Sequence, residues 1–362
     1  MFGPRIKLAA ICLLAVLASG AFPLCALAET PNVLLILVDD LKPQFGAYGF
    51  DEVHSPNLDR LAERGMRFDR AYCNQAVCAP SRNNLMTSMR STTSGIYSLG
   101  TNFRRANPDA VTLPQYFMQH GYAAEGIGKV FHIGHGNVGD PQSWSAPFHP
   151  DKVIDYALSE STGGELTREE AYFSNAKIPV GGLPRGAAWE SADVEDGAYA
   201  DGRIAAEGIR RLQKFAESES PFFLAIGFTK PHLPFCAPSQ YWELYDRDQF
   251  ALSARDTPPE GSPGIAIKNP RGEIGNYSPW PENGLNVPDE MALELIHGYF
   301  AALSYMDAQL GRVIDELDRL NLSENTIVVL WGDHGWHFGD HGSWTKHTNY
   351  EQDNRIPLII CA

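Results

Sequence analysis

The chain has 362 residues, of which 44% are hydrophobic and 20% charged, and its formal net charge at pH 7 is −15. This composition is ordinary for a soluble globular protein and argues against a disordered chain or a multi-span membrane protein. The negative charge argues against non-specific binding to nucleic acid or to anionic membranes, so an anionic substrate must be attracted by a local cluster of cations.

The N-terminal segment has the pattern of a secretory signal peptide. The basic residues Arg5 and Lys7 precede an apolar run, and Ala26-Leu27-Ala28 offers a small-x-small cleavage site. We therefore predict a signal peptide over residues 1–28 and a periplasmic or secreted protein with no stable membrane insertion after cleavage. An uncleaved anchor is the alternative, although the apolar run is short for a bilayer.

The first predicted strand after this segment is followed by two carboxylates. Residues 32–38 form a continuous apolar run, which is typical of a strand buried on both faces of a parallel sheet. Asp39 and Asp40 come directly after it. Because ligand sites in open α/β sheets lie at the carboxyl ends of strands, this pair indicates a site for a hard cation. A turn followed by a helix cap is the alternative.

A second chemical motif is the pentapeptide Cys78-Ala79-Pro80-Ser81-Arg82. A helix is predicted from Ala79 to about Met89, and Cys78 and Arg82 would share one face of it. The helix N-terminus and the guanidinium both favour an anion at this turn. Taken alone, the pentapeptide fits a buried structural cysteine beside a surface arginine better than a functional site. A disulfide between Cys73 and Cys78 is a further alternative in an oxidising compartment.

The remaining periodic segments alternate between helices and apolar strands. Helices are predicted after Ser55, after Thr112, over 201–217 and from Pro288 to Leu317, and strands over 122–127, 221–228, 326–331 and 356–361. Residues 134–200 and 236–287 lack sustained periodicity and are predicted to be long surface loops. The sequence therefore predicts an α/β fold with a mostly parallel sheet flanked by helices.

Polar residues follow three more of these strands. They are Lys129 and His132, Lys230 and His232, and Asp333 and His334, with Trp336 and Lys346 in the loop beyond. If the sheet is parallel, we expect these residues other than Trp336 to meet Asp39, Asp40, Cys78 and Arg82 at one of its edges. Carboxylates that hold a divalent cation, cations that neutralise an oxyanion and a histidine that protonates a leaving alcohol suit attack on a tetrahedral anionic ester.

These motifs resemble the formylglycine-dependent sulfatases and, within that family, the iduronate-2-sulfatases. The likeness rests on the Cys-x-Pro-Ser-Arg pattern at residues 78–82 and on residues 33–43, 128–132, 230–235 and 333–336. It implies an alkaline-phosphatase-like α/β sandwich and hydrolysis of a sulfate ester. It also implies one N-terminal catalytic domain over 29–362, without the smaller C-terminal subdomain of the family, so we expect a truncated chain with an exposed sheet edge.

The resemblance assigns a role to each site residue. The ligands for Ca2+ would be Asp39, Asp40, Asp333, His334 and residue 78. A formylglycine-generating or other maturating enzyme would convert Cys78 to formylglycine, whose hydrated aldehyde is the nucleophile. Arg82 and Lys129 would orient the nucleophile, and His132 would assist its breakdown. His232 and Lys346 would face the sulfate and the leaving group, while Lys230 and Trp336 would bind the sugar.

One departure from the family pattern is Met86-Thr87-Ser88, where the family reads Leu-Thr-Gly. Ser88 puts recognition of this segment by the modifying enzyme in question. The predicted substrate is a sulfated sugar, for instance a 2-sulfated uronic acid. Two other functions stay open: a phosphomonoester or phosphonate hydrolase with the same fold, and a catalytically silent protein that binds sulfated glycans.

Overall fold

The longest strands follow the apolar runs of the sequence. The computed structural model describes residues 30–266, 272–280 and 287–362. Its strands are β1 (Asn32–Val38), β2 (Met66–Arg67), β3 (Ala71–Tyr72), β4 (Ala123–Gly128), β5 (Ile133–Gly134), β6 (Asn137–Val138), β7 (Trp189–Ala192), β8 (Phe222–Phe228), β9 (Phe235–Pro238), β10 (Thr326–Gly332), β11 (Arg355–Ile356) and β12 (Leu358–Cys361).

The helices that the sequence predicts begin close to their predicted starts, and shorter helices that it does not predict occur between them. They are α1 (Pro56–Arg64), α2 (Cys78–Thr87), α3 (Ser91–Ser94), α4 (Phe103–Ala106), α5 (Leu113–Gln119), α6 (Arg168–Phe173), α7 (Ala200–Ala216), α8 (Ser239–Trp242), α9 (Asp289–Arg319) and α10 (Glu351–Asn354). Thr112 caps α5 as its sequence predicts, because its side chain accepts from the Gln115 N–H while the Gln115 side chain accepts in return from the Thr112 N–H.

A six-stranded sheet, in the order β2-β12-β10-β1-β8-β4, is the centre of the fold. Strands β10, β1, β8 and β4 are parallel to one another, as predicted. The strand predicted near the chain end is also present, but β12 runs antiparallel to β10. Four strands therefore direct their carboxyl ends to the same edge of the sheet, and β12 does not.

Both faces of the sheet are covered by helices. Leu34, Ile36 and Val38 of β1 belong to a core that includes residues of α1, α7 and α9. Val33 and Leu35 point the other way, into a core that includes residues of α2 and α5. Each fully buried side chain of this kind contributes roughly 1.5–3 kcal/mol of transfer free energy. The continuous apolar run of β1 is thus explained by burial on both faces.

The two segments predicted as unbroken loops contain short elements. Strand β7 is paired in parallel with β9, and α6 begins at a capping box formed by Thr167 and Glu170. Elements of four to six residues are too short to show a period in the sequence, which is why the prediction missed them. They matter for function because α6 brings side chains to the edge of the sheet where the polar residues gather.

Residues Pro31–Ala362 group into one compact unit. Within the described ranges, no helix has the length and apolarity that a bilayer crossing requires. The predicted signal peptide, residues 1–28, lies outside the described residues and stays a prediction.

Candidate active site at the carboxyl edge of the sheet

The four parallel strands deliver their polar residues to one buried cluster. Asp39 follows β1, Asp333 follows β10 and Lys129 follows β4. Arg82 joins them from α2: its Nη2 lies 3.3 Å from an Asp39 carboxylate oxygen and its Nε lies 2.9 Å from an Asp333 carboxylate oxygen. Lys129 forms a short ion pair with the other Asp39 oxygen. The structure thus brings together residues that lie up to about 300 positions apart in the sequence.

Helix α2 positions both ends of the pentapeptide. It begins at Cys78, and the Ser81 hydroxyl donates to the Asp333 carbonyl oxygen at 2.6 Å, which ties the first turn to the end of β10. The helix ends at Thr87, and the cap residue Ser88 has a left-handed φ of 57°. Glycine adopts this conformation without strain, so the glycine of the family pattern at this position has a structural reason.

The predicted metal ligands form a compact group. Ligand atoms of Asp39, Asp40, Cys78 and His334 all lie within 4.8 Å of one another, and all four residues are buried. Asp333 lies beside them, and its carboxylate accepts from Arg82 and from the Asp40 N–H. A donor set rich in carboxylate oxygens fits a hard divalent cation such as calcium, for which the His334 ring is a less usual ligand.

Buried cations compensate these carboxylates. The Lys346 ammonium lies 2.7 and 2.9 Å from the two oxygens of Asp40. Burial would raise the pKa of Asp39, but Lys129, His232 and Arg82 together hold it well below its usual range. Burial would likewise lower the pKa of Lys346, yet the negative charges around it, Asp40 foremost, hold it well above its usual value. Both groups are therefore charged at neutral pH.

A cavity of about 380 Å³ opens above this cluster. The residues that line it include the predicted site residues Cys78, His132, His232 and Lys346. His334 lies below Cys78, with its Nε2 at 3.2 Å from the sulfur. Burial, and next the charge of Asp39, raises the pKa of the Cys78 thiol. An unmodified Cys78 is therefore a thiol at neutral pH and a weak nucleophile.

Lys230 and Trp336 are not among the residues that line this cavity. Lys230 is buried, and its ammonium donates to the carbonyl oxygens of His232 at 3.2 Å and Pro234 at 2.6 Å. Trp336 is also buried, with its ring 5.6 Å from the Lys346 ammonium. Lys230 thus binds the backbone around His232, and Trp336 packs beside Lys346. Their contact with a sugar stays a prediction to which the geometry adds no support.

Several residues that line the cavity were not predicted as site residues. They are Glu169 and Phe173 of α6, His135, and Glu273. His135 lies 3.1 Å from His132, nitrogen to nitrogen, and its position three residues further along the same strand end could have indicated it. Glu169 and Glu273 come from segments without periodicity, where no signal distinguishes them from surface acids.

Cys73 and Cys78 are both free thiols in the described part of the chain. The Cys73 sulfur lies 3.8 Å from the Asp353 carbonyl oxygen and 3.7 Å from the Asn354 side chain. The disulfide alternative for Cys78 is therefore not formed in this structure.

The buried Glu169 carboxyl gives a testable pH dependence of stability. Burial first, and then the negative charge of Glu273, raises its pKa to about 7. Because the folded state holds this proton more tightly than the unfolded state, the free energy of unfolding should fall as pH rises from about 4.5 to 7. We expect Glu169→Gln to be more stable than the parent at pH 8, by up to about 3 kcal/mol, and to show no such gain at pH 4.

Urea denaturation at the two pH values measures this difference. The matched control is Glu165→Gln, which removes the same charge from an exposed position just before α6. If Glu169→Gln changed the free energy of unfolding by the same amount at both pH values, Glu169 would not be a buried carboxyl that titrates between them.

Comparison with known sequences shows which proteins share these motifs. A family model described as Sulfatase matches residues 31–362. Mouse iduronate 2-sulfatase is 36% identical over 349 residues, which cover 91% of this chain and 59% of the mouse protein. A sulfatase of Formosa agariphila is 32% identical, over 92% of this chain and 64% of its own length. The chain thus spans less than two thirds of the length of these relatives.

Comparison with solved structures agrees on the fold. The phosphonate monoester hydrolase of Agrobacterium radiobacter has a TM-score of 0.68 at 22% identity and covers 91% of this chain and 68% of its own. A structure solved in complex with its substrate D-glucosamine-2-N,6-O-disulfate has a TM-score of 0.67 at 21% identity, over 92% of this chain and 71% of its own. At such identities the likeness shows a shared α/β fold.

Proposed function

Because this chain belongs to the sulfatase family, we propose that it is a sulfuric ester hydrolase that removes sulfate from a sulfated sugar. Family membership and the alkaline-phosphatase-like fold are as the sequence predicts. The observation that carries the proposal is the cavity in which Cys78, His232 and Lys346 face one another above a buried carboxylate cluster. A tetrahedral anion would meet cations there on one side and the position of the nucleophile on the other.

Formylglycine at position 78 is part of the proposal. The residue begins α2, is 2% exposed and lines the cavity, so its side chain faces the position of the substrate. The raised pKa of the thiol leaves an unmodified cysteine poorly suited to attack. The hydrated aldehyde would supply the oxygen nucleophile that the thiol does not provide. Maturation would require a formylglycine-generating or other sulfatase-maturating enzyme.

Calcium is the second proposed cofactor. Asp39, Asp40, Asp333, His334 and residue 78 would hold it, since four of these five residues place ligand atoms within 4.8 Å of one another. When bound, the ion would neutralise charge on the sulfate and on the nucleophile. The ammonium groups of Lys129 and Lys346, which pair with Asp39 and Asp40, would complete the neutralisation of the site.

The protein's own residues account for binding and proton transfer. Arg82 and Lys129 fix the Asp39 carboxylate and would orient the nucleophile beside it. Burial, and next the charge of Lys129, holds the pKa of His132 well below its usual range, so a neutral ring lines the cavity and would act as a proton acceptor there. His232 and Lys346 would hold the sulfate, and His232 would donate a proton to the leaving alcohol.

The substrate class rests on the relatives. Iduronate 2-sulfatases are 36% identical to this chain, and a structural neighbour was solved with a sulfated glucosamine. We propose a sulfated saccharide, for instance one with a 2-sulfated uronic acid, and a periplasmic or secreted location after removal of residues 1–28.

Mass spectrometry of the tryptic peptide that contains residue 78 tests the first requirement. After co-expression with a maturating enzyme, we expect a peptide with the mass of formylglycine in place of cysteine. Finding only unmodified cysteine under these conditions would contradict the proposed mechanism.

Turnover of paired aryl sulfate and aryl phosphate esters then tests the reaction. We expect the matured protein to hydrolyse the sulfate ester faster. Faster turnover of the phosphate would favour a phosphomonoester or phosphonate hydrolase. Calcium-dependent binding of a sulfated oligosaccharide without any release of sulfate would identify a silent glycan-binding protein.

A further inference from the structure

Glu273 contacts two side chains, His232 and Lys346, that the proposed function assigns to the substrate. One carboxylate oxygen lies 3.0 Å from the Lys346 ammonium, and the other lies 3.1 Å from Nε2 of His232. All three residues line the cavity together with Cys78. A carboxylate therefore bridges the pair of side chains that would bind a sulfate.

The contact occupies the substrate-facing nitrogen of His232. The other ring nitrogen, Nδ1, forms a short hydrogen bond with the Leu233 carbonyl oxygen. Since a carbonyl accepts only from a protonated nitrogen, Nδ1 carries a proton and Nε2 is the nitrogen that can meet a leaving group. Glu273 thus competes with the substrate for the same atom.

We infer that Glu273 is an internal anion that occupies the sulfate position, so that an incoming sulfate must displace its side chain. The Glu273 N–H donates to the Thr345 hydroxyl at 3.2 Å, so the backbone is anchored next to Lys346 and rotation of the side chain alone would free the position. The inference rests on the proposed function, because it takes the incoming anion to be a sulfate group.

The charges of the cavity support this role. Burial would raise the pKa of Glu273, but Lys346 and His232 hold it well below its usual range, so the side chain is ionised at neutral pH. An ionised carboxylate at about 3 Å offsets part of the attraction that the cations exert on a ligand anion. The residue therefore lowers the affinity of the empty site for anions.

Titration calorimetry with inorganic sulfate measures this effect. We compare the parent with Glu273→Gln and Glu273→Ala, all with calcium present and with Cys78 unconverted. Both variants should bind sulfate about tenfold more tightly than the parent, and Glu273→Ala should gain at least as much as Glu273→Gln. The matched control is Glu316→Gln, which removes a carboxylate paired with Arg319 on α9 and should bind sulfate as the parent does.

The charge of the ligand gives a second measurement. Because Coulomb energy scales with charge, removal of Glu273 should improve binding of the sulfate dianion more than binding of the methyl sulfate monoanion. An equal or larger gain for methyl sulfate would overturn the electrostatic role.

Weaker or unchanged sulfate binding in folded Glu273 variants would also overturn the inference, because a residue that merely positions His232 and Lys346 would lose affinity when removed. Failure of both variants to unfold cooperatively in thermal denaturation would count against it as well, since that result assigns Glu273 to the structure. Binding to the unconverted protein needs no turnover. A failure of the proposed hydrolysis is therefore distinguishable from a failure of this inference.

Discussion

Replacing Cys78 with alanine is expected to abolish hydrolysis of an aryl sulfate, with a fall in kcat of at least about 10³-fold. The residue lines the cavity at the first turn of α2, and its position is where the proposed nucleophile would form. Loss of a nucleophile removes the covalent step altogether, whereas loss of a side chain that only binds substrate raises KM. Steady-state kinetics of the matured protein measures both constants.

Cys73→Ala is the matched control for this experiment. Its sulfur lies beside the Asp353 carbonyl oxygen and the Asn354 side chain, and the residue is not among those that line the cavity. We expect the control to keep the activity of the parent. A Cys78→Ala protein that retains sulfate ester hydrolysis would exclude residue 78 as the nucleophile, and equal losses in both variants would favour a shared disulfide.

Replacing Arg82 is expected to have a large effect on stability. Arg82 is fully buried and pairs with both Asp39 and Asp333. Replacing it with methionine keeps much of the apolar volume but leaves two buried carboxylates with fewer cations. Breaking a buried ion pair from one side typically costs about 3–5 kcal/mol, because the remaining charge is uncompensated. We expect a loss of this size in the free energy of unfolding, measured by urea denaturation at pH 7.

Arg210→Met provides the comparison for Arg82. Arg210 pairs with Glu207 on α7, and its side chain is 59% exposed. An exposed ion pair contributes at most about 1 kcal/mol, so this variant should unfold close to the parent. If Arg82→Met were as stable as Arg210→Met, the buried carboxylates would have to be compensated by other groups, and the structural role of Arg82 would be wrong.

Much of the fold could be predicted from the sequence, because apolar runs and apolar periodicity indicate which residues are buried. The run at residues 32–38 is apolar at every position from Val33 onward, and β1 is buried on both faces. The Asp39-Asp40 and Asp333-His334 pairs follow parallel neighbours, so the rule that ligand sites lie at the carboxyl ends of strands places them together without a structure. The Thr112 cap was also predictable, because both of its hydrogen bonds join residues within one helical turn.

The directions in which side chains point could not be predicted as well from the sequence. Lys230 follows a parallel strand, as Lys129 does, but its ammonium turns to the carbonyl oxygens of His232 and Pro234. The direction of β12 likewise could not be read from the sequence, because a short apolar run indicates a strand but does not specify which neighbour it pairs with or in which direction. Each of these outcomes depends on neighbours that are distant in the sequence.

The sequence by itself determined the family, the strand ends and the residues that form the buried cluster, because each follows from a motif or from a period within a few residues. Only the tertiary structure decided that Glu169 and Glu273 enter the cavity, and that Glu273 bridges His232 and Lys346. Glu169 lies on the short helix α6 and Glu273 in a turn, both within segments without sequence periodicity, and the position of Glu273 is fixed by a hydrogen bond of its N–H to Thr345. Their chemistry arises from burial beside cations, which no local pattern in the sequence records.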